Sequence, residues 1–228
     1  MQLKNKTAVV TGGTDGLGLA IVSKLLDEGC TVHTISRSGK LKNSINNDKL
    51  FTHKCNVTSF IELEGVANDI GNIDILINDA GVWLCGTIEH NSEKLISELI
   101  DTNVKGVIYS SKAFLPKLRD ARQAYIINIS SMAGLRGKAD HSVYVASKFA
   151  VTGFTESLSE DLKDSNIKVS GIYPGGMDTD MFEKAGVSRD TKNWLDTKKV
   201  AEIIIFMLSM EDAIALDHVT ISKKQFAK

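Results

Sequence analysis

Two kinds of apolar pattern alternate along the chain. Short runs rich in β-branched residues, Thr7 to Thr11, Thr31 to Ser36, Leu50 to Lys54, Ile73 to Ile77, Ile126 to Ile129, Ile167 to Ile172 and His218 to Ser222, are bounded by polar or glycine residues and read as strands. Between them, apolar positions recur every three or four residues: Leu19, Ile21, Val22, Leu25 and Leu26; Ile61, Leu63, Val66, Ala67 and Ile70; a long pattern from Asn91 to Leu118; Phe149 to about Leu162; and Val200 to Met207. These read as helices, with Thr58 and Thr197 placed to cap two of them. Strands alternating with helices across the chain predict an α/β fold, a doubly wound, mostly parallel sheet of about seven strands with helices on both faces. Residues 180–196 carry Met181, Phe182, Gly186 and Trp194 among charges without a period, and read as a short mobile lid.

Composition narrows the possibilities. With 228 residues, 43% hydrophobic and 24% charged, the chain is expected to form one domain, 1–228. A net charge of −1 with acids and bases interspersed leaves no basic stripe for a phosphate backbone, so nucleic acid is not an expected partner. No run reaches the length of a membrane span, and a cytoplasmic, membrane-free protein is expected. Cys30, Cys55 and Cys85 are odd in number and widely spaced; they imply neither a disulfide framework nor a metal site and read as buried, inert thiols.

The candidate chemistry lies where strands end. Gly12-Gly13-Thr14-Asp15-Gly16-Leu17-Gly18 joins the first strand to the first helix; glycines permit close backbone approach, and a helix N-terminus offers N–H groups to a pyrophosphate. Arg37, after the second strand, suits a ribose 2′-phosphate, whereas Asp15 in the glycine turn would repel one. Asn56, beside Val57, either meets an adenine edge or shapes a turn. Asn78-Asp79-Ala80-Gly81 places small residues where a cofactor would approach. Asn103 interrupts the long helical pattern, where an Asn either bends the helix or sits tolerated at the surface. Ser130 and Ser131 follow the fifth strand, and Tyr144 and Lys148 stand four apart on one helical face. A nearby ammonium favours phenolate, so Lys148 is expected to lower the pKa of Tyr144 and make it a general acid or base, while Ser131 holds a substrate carbonyl.

Taken together, Thr11-Gly12-Gly13-Thr14-Asp15-Gly16-Leu17-Gly18, Asn78-Asp79-Ala80-Gly81, Asn103, Ser131 thirteen residues before Tyr144, Lys148, and Pro174-Gly175 through Thr179 resemble the motifs of the short-chain dehydrogenase/reductase family in its single-domain form. The resemblance implies a Rossmann-like domain binding NADP(H) by preference, with NAD(H) possible. It implies that Gly12, Thr14, Asp15, Gly16, Leu17, Gly18, Arg37, Asn56, Val57, Asn78, Ala80, Gly81, Tyr144, Lys148, Pro174, Gly175, Met177 and Thr179 contact the cofactor. Ser131, Tyr144, Lys148 and Asn103 would be catalytic, with Asn103 holding a water that links Lys148 to solvent. The activity implied is hydride transfer between the nicotinamide and a ketone or secondary alcohol, 3-oxoacyl thioesters included, by a homodimer or homotetramer. The competing reading is an NADP(H)-sensing regulator without turnover. Asp79 stands where the family has Asn, and the C-terminus lacks the common Gly-Gly ending. Trp83, Met132, Leu135, His141, Met177, Met181 and Trp194 are candidates to line a substrate pocket; Trp83 is a substrate wall, a lid contact or, equally, a plain packing residue, and His141 is expected to face solvent instead.

Overall fold

The computed structural model describes residues 1–224. Its strands are β1 (Thr7–Thr11), β2 (Thr31–Ser36), β3 (Leu50–Lys54), β4 (Ile75–Asn78), β5 (Ala124–Ile129), β6 (Ile167–Pro174) and β7 (His218–Ile221). They form one 7-stranded sheet in the order β3-β2-β1-β4-β5-β6-β7, and every neighbouring pair is parallel. The helices are α1 (Gly16–Asp27), α2 (Phe60–Asp69), α3 (Glu93–Ile100), α4 (Gly106–Arg119), α5 (Ser142–Asp161), α6 (Met181–Lys184) and α7 (Thr197–Ser209).

Alternation along each strand decides which residue serves which layer. Ala8, Val10, Ile75, Ile77, Tyr125 and Ile127 pack under Ile21, Leu25, Val200 and Ile204 of α1 and α7. Val9, Leu76 and Ile126 face the opposite way, toward Leu63, Ala67, Phe114 and Leu118 of α2 and α4. A period of two on each strand thus builds both hydrophobic layers from the same apolar run. The strand order runs one way from β1 through β2 to β3 and the other way from β4 to β7. Beyond the C-terminal ends of β1 and β4 this reversal opens a crevice, the place where such sheets take ligands.

Several local expectations are corrected. The stretch from Asn91 to Leu118 is two helices, α3 and α4, separated by a π-helical turn at Asp101–Lys105 that contains Asn103. Ser92, not Asn91, caps its start by accepting from the Leu95 amide at 3.3 Å. Ser59 caps α2 in place of Thr58, and Asp196 caps α7 in place of Thr197. The fourth strand starts at Ile75, because the Asp74 side chain turns aside to accept from Lys6 Nζ at 2.6 Å and the Thr7 amide at 2.9 Å.

Within 180–196, α6 forms one short turn, and the far end of the segment is tied back where Leu195 bonds Gly176 O at 3.0 Å and Asp178 bonds Leu195 O at 2.9 Å. Among the described residues no helix is long and apolar enough to cross a membrane.

Candidate active site

The glycine turn is shaped by what lies against it. Gly12 (φ +73°) and Gly16 (φ +53°) adopt left-handed backbone. A Cβ on Gly12 would come within 2.9 Å of the Ala80 backbone, and one on Gly18 within 2.4 Å of Gly12 O. Thr11 Oγ1 accepts from the Asp79 and Ala80 amides, both at 3.2 Å, and so joins the ends of β1 and β4. The result is a backbone cradle at the N-terminus of α1, in the crevice, sized for an extended phosphate-bearing cofactor. Leu17 lends only its backbone to this surface, since its side chain is buried in the core with Ile21.

Asp15, the acid within this turn, is neutralised in place. Its Oδ1 caps α1 by accepting from the Gly16 amide at 2.7 Å. Lys184 of α6 bonds its other oxygen, and Lys42, in the loop between β2 and β3, stands 3.7 Å away. Burial would raise its pKa, but Lys184, the Gly16 amide and the Lys42 charge together hold the carboxyl below its ordinary value. Lys42 also pairs with Asp180, and its amide bonds Thr14 O at 2.9 Å, so the glycine turn, the β2–β3 loop and the 180–196 segment share one charge network. Arg37 lies exposed just past the end of β2, on the same side as this network.

Other expected cofactor contacts are placed unevenly. Gly81 and Thr179 border the crevice; a Cβ on Gly16 would touch Thr179 at 3.5 Å, and one on Gly81 would lie 3.9 Å from Lys148 Nζ, whereas Met177 packs against the core layer under α1 and α7. Asn56 shapes a turn: its Oδ1 accepts from the Thr58 amide at 3.2 Å. Val57 is buried and sits against Gly106, where a Cβ would meet it at 2.8 Å. Asn78 is turned away from the crevice. It donates to Ser111 Oγ (3.1 Å) and Asn128 Oδ1 (2.8 Å), and Asn128 in turn donates to Thr155 Oγ1 (2.9 Å). This buried amide network pins β4 and β5 to α4 and α5.

The two serines after β5 separate cleanly. Ser130 is buried and bonds Lys148 O at 3.1 Å, so it holds the start of α5. Ser131 is half-buried, accepts from the Ala133 amide at 3.1 Å, donates to Pro174 O at 3.5 Å and lies beside Tyr144, whose phenol pKa it lowers. Lys148, 7% exposed, donates to Ile129 O at 2.9 Å, with its ammonium 5.9 Å from the centre of the Tyr144 ring. One strand end and one helix turn thus bring Ser131, Tyr144 and Lys148 together.

Asn103 bridges to them. Its amide exchanges bonds with Val82 (Val82 N to Oδ1 2.8 Å, Nδ2 to Val82 O 2.9 Å) and donates to Ser147 Oγ at 3.1 Å. Both amide hydrogens are therefore taken by protein, and the side chain clamps the Val82 backbone to α5. The π turn is the accompanying distortion: one extra residue in the turn lets the Asn103 side chain point inward to Val82 and α5.

Electrostatics correct one expectation. Burial pushes the Tyr144 phenol up to about 12; the Ser131 hydrogen bond opposes this, and the Asp79 charge adds to it. No lowering by Lys148 offsets the burial, because burial drives Lys148 itself down to about 8 against the attraction of Asp79. Asp79, whose Oδ2 would lie 2.7 Å from a Cβ on Gly18, is raised by burial to about 8, with Lys148 and the Gly18 amide pulling the other way. A neutral carboxyl has one donor and one acceptor, so near neutrality Asp79 resembles the amide that the motif otherwise carries.

Trp83 is largely buried, one of the placements expected of it: Phe182 packs edge-on at 4.6 Å between ring centres and His141 at 5.4 Å. His141 is 6% exposed rather than solvent-facing. Cys30 and Cys55 are buried, with thiols pushed up to about 11 chiefly by burial, whereas Cys85 is only partly buried.

Sequence reading missed Lys42 and Lys184, because only folding brings them to Asp15, and missed the Asp79–Lys148 pair, whose partners lie on different elements. The departure of Asp79 from the motif was the only signal available.

Comparison with known proteins agrees with this architecture. Residues 6–190 match the family of short chain dehydrogenases. An uncharacterized oxidoreductase of Staphylococcus epidermidis is 31% identical over 227 residues, covering 96% of this chain and 98% of its own length. The ligand-free aldohexose dehydrogenase of Thermoplasma acidophilum superposes with a TM-score of 0.85 at 28% identity, covering 96% of this chain and 93% of that one. The closed form of serine dehydrogenase complexed with NADP+ gives 0.86 at 25% identity, covering 97% of each. The chain belongs to the short-chain dehydrogenase family. It is an oxidoreductase of that type, with a nicotinamide cofactor.

Proposed function

We propose that this protein is an NADP(H)-dependent carbonyl reductase or alcohol dehydrogenase acting on a ketone or secondary alcohol, with 3-oxoacyl thioesters within its range. The observation that carries the reading is the convergence of Ser131, Tyr144 and Lys148 beside the backbone cradle of Gly12, Gly16 and Gly18. The cofactor supplies or accepts the hydride. Ser131 holds and polarises the carbonyl oxygen. Tyr144, still a phenol near neutrality because burial raises its pKa, donates the proton that this oxygen needs, which suits the reductive direction. Lys148 holds the ribose side of the cofactor and resupplies the proton.

NADP(H) preference is supported by Arg37 and by Lys42 and Lys184, which cancel the charge of Asp15. Like serine dehydrogenase, a relative solved with NADP+, the chain would then take the phosphorylated dinucleotide. Exposed Leu95, Ile108 and Phe149 on α3, α4 and α5 support association of copies through those helices, as a homodimer or homotetramer.

The test is titration with NADPH and NADH, then oxidation of the reduced cofactor across a ketone and thioester panel. The expected result is tighter NADPH binding and turnover. In Tyr144→Phe, cofactor binding should persist while kcat falls by about 10²–10⁴. Tight binding without turnover on any ketone, thioester or alcohol would overturn the enzyme reading.

A further inference from the structure

Beside Ser131 and Tyr144, the loop 135–141 and the 180–196 segment close over Trp83. The Arg189 guanidinium lies 5.1 Å from the Trp83 ring and 5.2 Å from that of Phe182. On another side of Trp83 stands His141, whose Nδ1 is 2.6 Å from Ala139 O and whose Nε2 is buried without a partner. Arg136 and Lys138 project from the same loop, which is anchored where the Gly86 amide bonds Asp140 O at 2.8 Å. Among the described residues, none of Arg136, Lys138 and Arg189 enters an ion pair.

Several acids lie nearby: Asp178, Asp180 and Glu183 border the same pocket as Arg189, where Asp180 pairs with Lys42 and Asp178 accepts from Thr191. Asp140 follows in the loop and attracts His141, but two of the cations repel that imidazole. Asp190 spends an oxygen on the Lys192 amide at 3.1 Å. Burial lowers the Lys138 ammonium, and the neighbouring Arg189 and Arg136 charges lower it further. Elsewhere around the crevice, the lysines nearest the cofactor turn are paired with Asp15 and Asp180.

We propose that this rim of Arg136, Lys138 and Arg189, with His141 and Trp83, binds an oxyanion on the substrate, so that the preferred substrates are oxo acids or hydroxy acids rather than neutral ketones. An oxyanion arriving next to Ser131 and Tyr144 supplies the missing counter-charge, and the two aromatic rings form the wall along the carbon chain between carbonyl and anion. The proposal rests on the oxidoreductase reading and names its substrate class.

The chain has two tryptophans, Trp83 and Trp194, and Phe182 packs on both, at 4.6 and 5.1 Å between ring centres. Intrinsic fluorescence therefore reports on this wall directly. The full-length protein saturated with NADP+ would be titrated with 4-oxopentanoate, its methyl ester and inorganic phosphate, and kcat/KM with NADPH measured for the first two. Expected are a fluorescence change with 4-oxopentanoate and not with the ester, and an acid-to-ester kcat/KM ratio well above one. That ratio should fall by about tenfold in Arg189→Gln and again in Lys138→Gln, and shrink in 0.5 M salt, as a paired charge lost from the rim requires.

A response to phosphate as strong as to 4-oxopentanoate keeps the oxyanion site and assigns it to phosphorylated substrates. Fluorescence binding of the acid without turnover of either compound upholds the anion site and counts against the oxidoreductase reading. An ester bound and turned over as well as the acid, or a ratio unmoved in both variants, overturns the proposal.

Discussion

Replacing Asp79 with Asn tests the charge state at the centre of the site. In the folded protein burial raises this carboxyl from an ordinary 3.8 to about 8, while Lys148 and the Gly18 amide oppose the rise. Between those values the unfolded chain has released the proton and the folded chain still holds it. Folded protein then binds one proton more, so stability falls as pH rises, by about 1.4 kcal/mol per pH unit. Asp79→Asn removes that slope. The variant should therefore gain on the wild type by roughly 2–3 kcal/mol between pH 5 and pH 7, about 5 to 10 °C in Tm for a domain of this size.

Urea unfolding of both proteins at pH 5, 6 and 7 measures the gap. A gap that stays constant across that range would refute the buried, protonated Asp79 and with it the view that the residue serves as a neutral stand-in for an amide.

Other perturbations address separate parts of the site. Arg37→Ala should raise the NADPH Kd by about 10- to 100-fold, the loss of a charge-assisted bond of about 1.5–3 kcal/mol, while NADH binding changes little; equal effects on both, read by cofactor fluorescence, would remove Arg37 as a selector. Gly134→Ala puts a Cβ 2.4 Å from Ser130 Oγ and 2.7 Å from Lys148 O, so it should cost about 1–3 kcal/mol in thermal unfolding and lower kcat by shifting Lys148. Asn103→Ala strands the buried Val82 amide and carbonyl and frees Ser147, costing about 1–3 kcal/mol for each group left unpaired; a Tm within a degree of wild type would show that the clamp is dispensable.

The architecture was legible in the sequence because burial on both sheet faces demands continuous apolar strands, and helices demand their own period. Both are local patterns, visible in Ile126 to Ile129 or in Ile21 to Leu26 without any knowledge of neighbours. The fixed spacing of Ser131, Tyr144 and Lys148 is local too: one loop and one helical turn separate them, so their convergence is written in order alone.

What only the tertiary structure decided depends on groups remote in the chain. Asp15 is paired by Lys42 and Lys184, which come from other elements, and the Tyr144 phenol is raised by its burial and by Asp79. His141 passed from expected surface to interior against Trp83, over which Phe182 and Arg189 also lie. Charge and exposure are sums over everything nearby in space, whereas sequence order records only what is nearby along the chain. The elements could therefore be read from the sequence, and the electrostatics of the site could not.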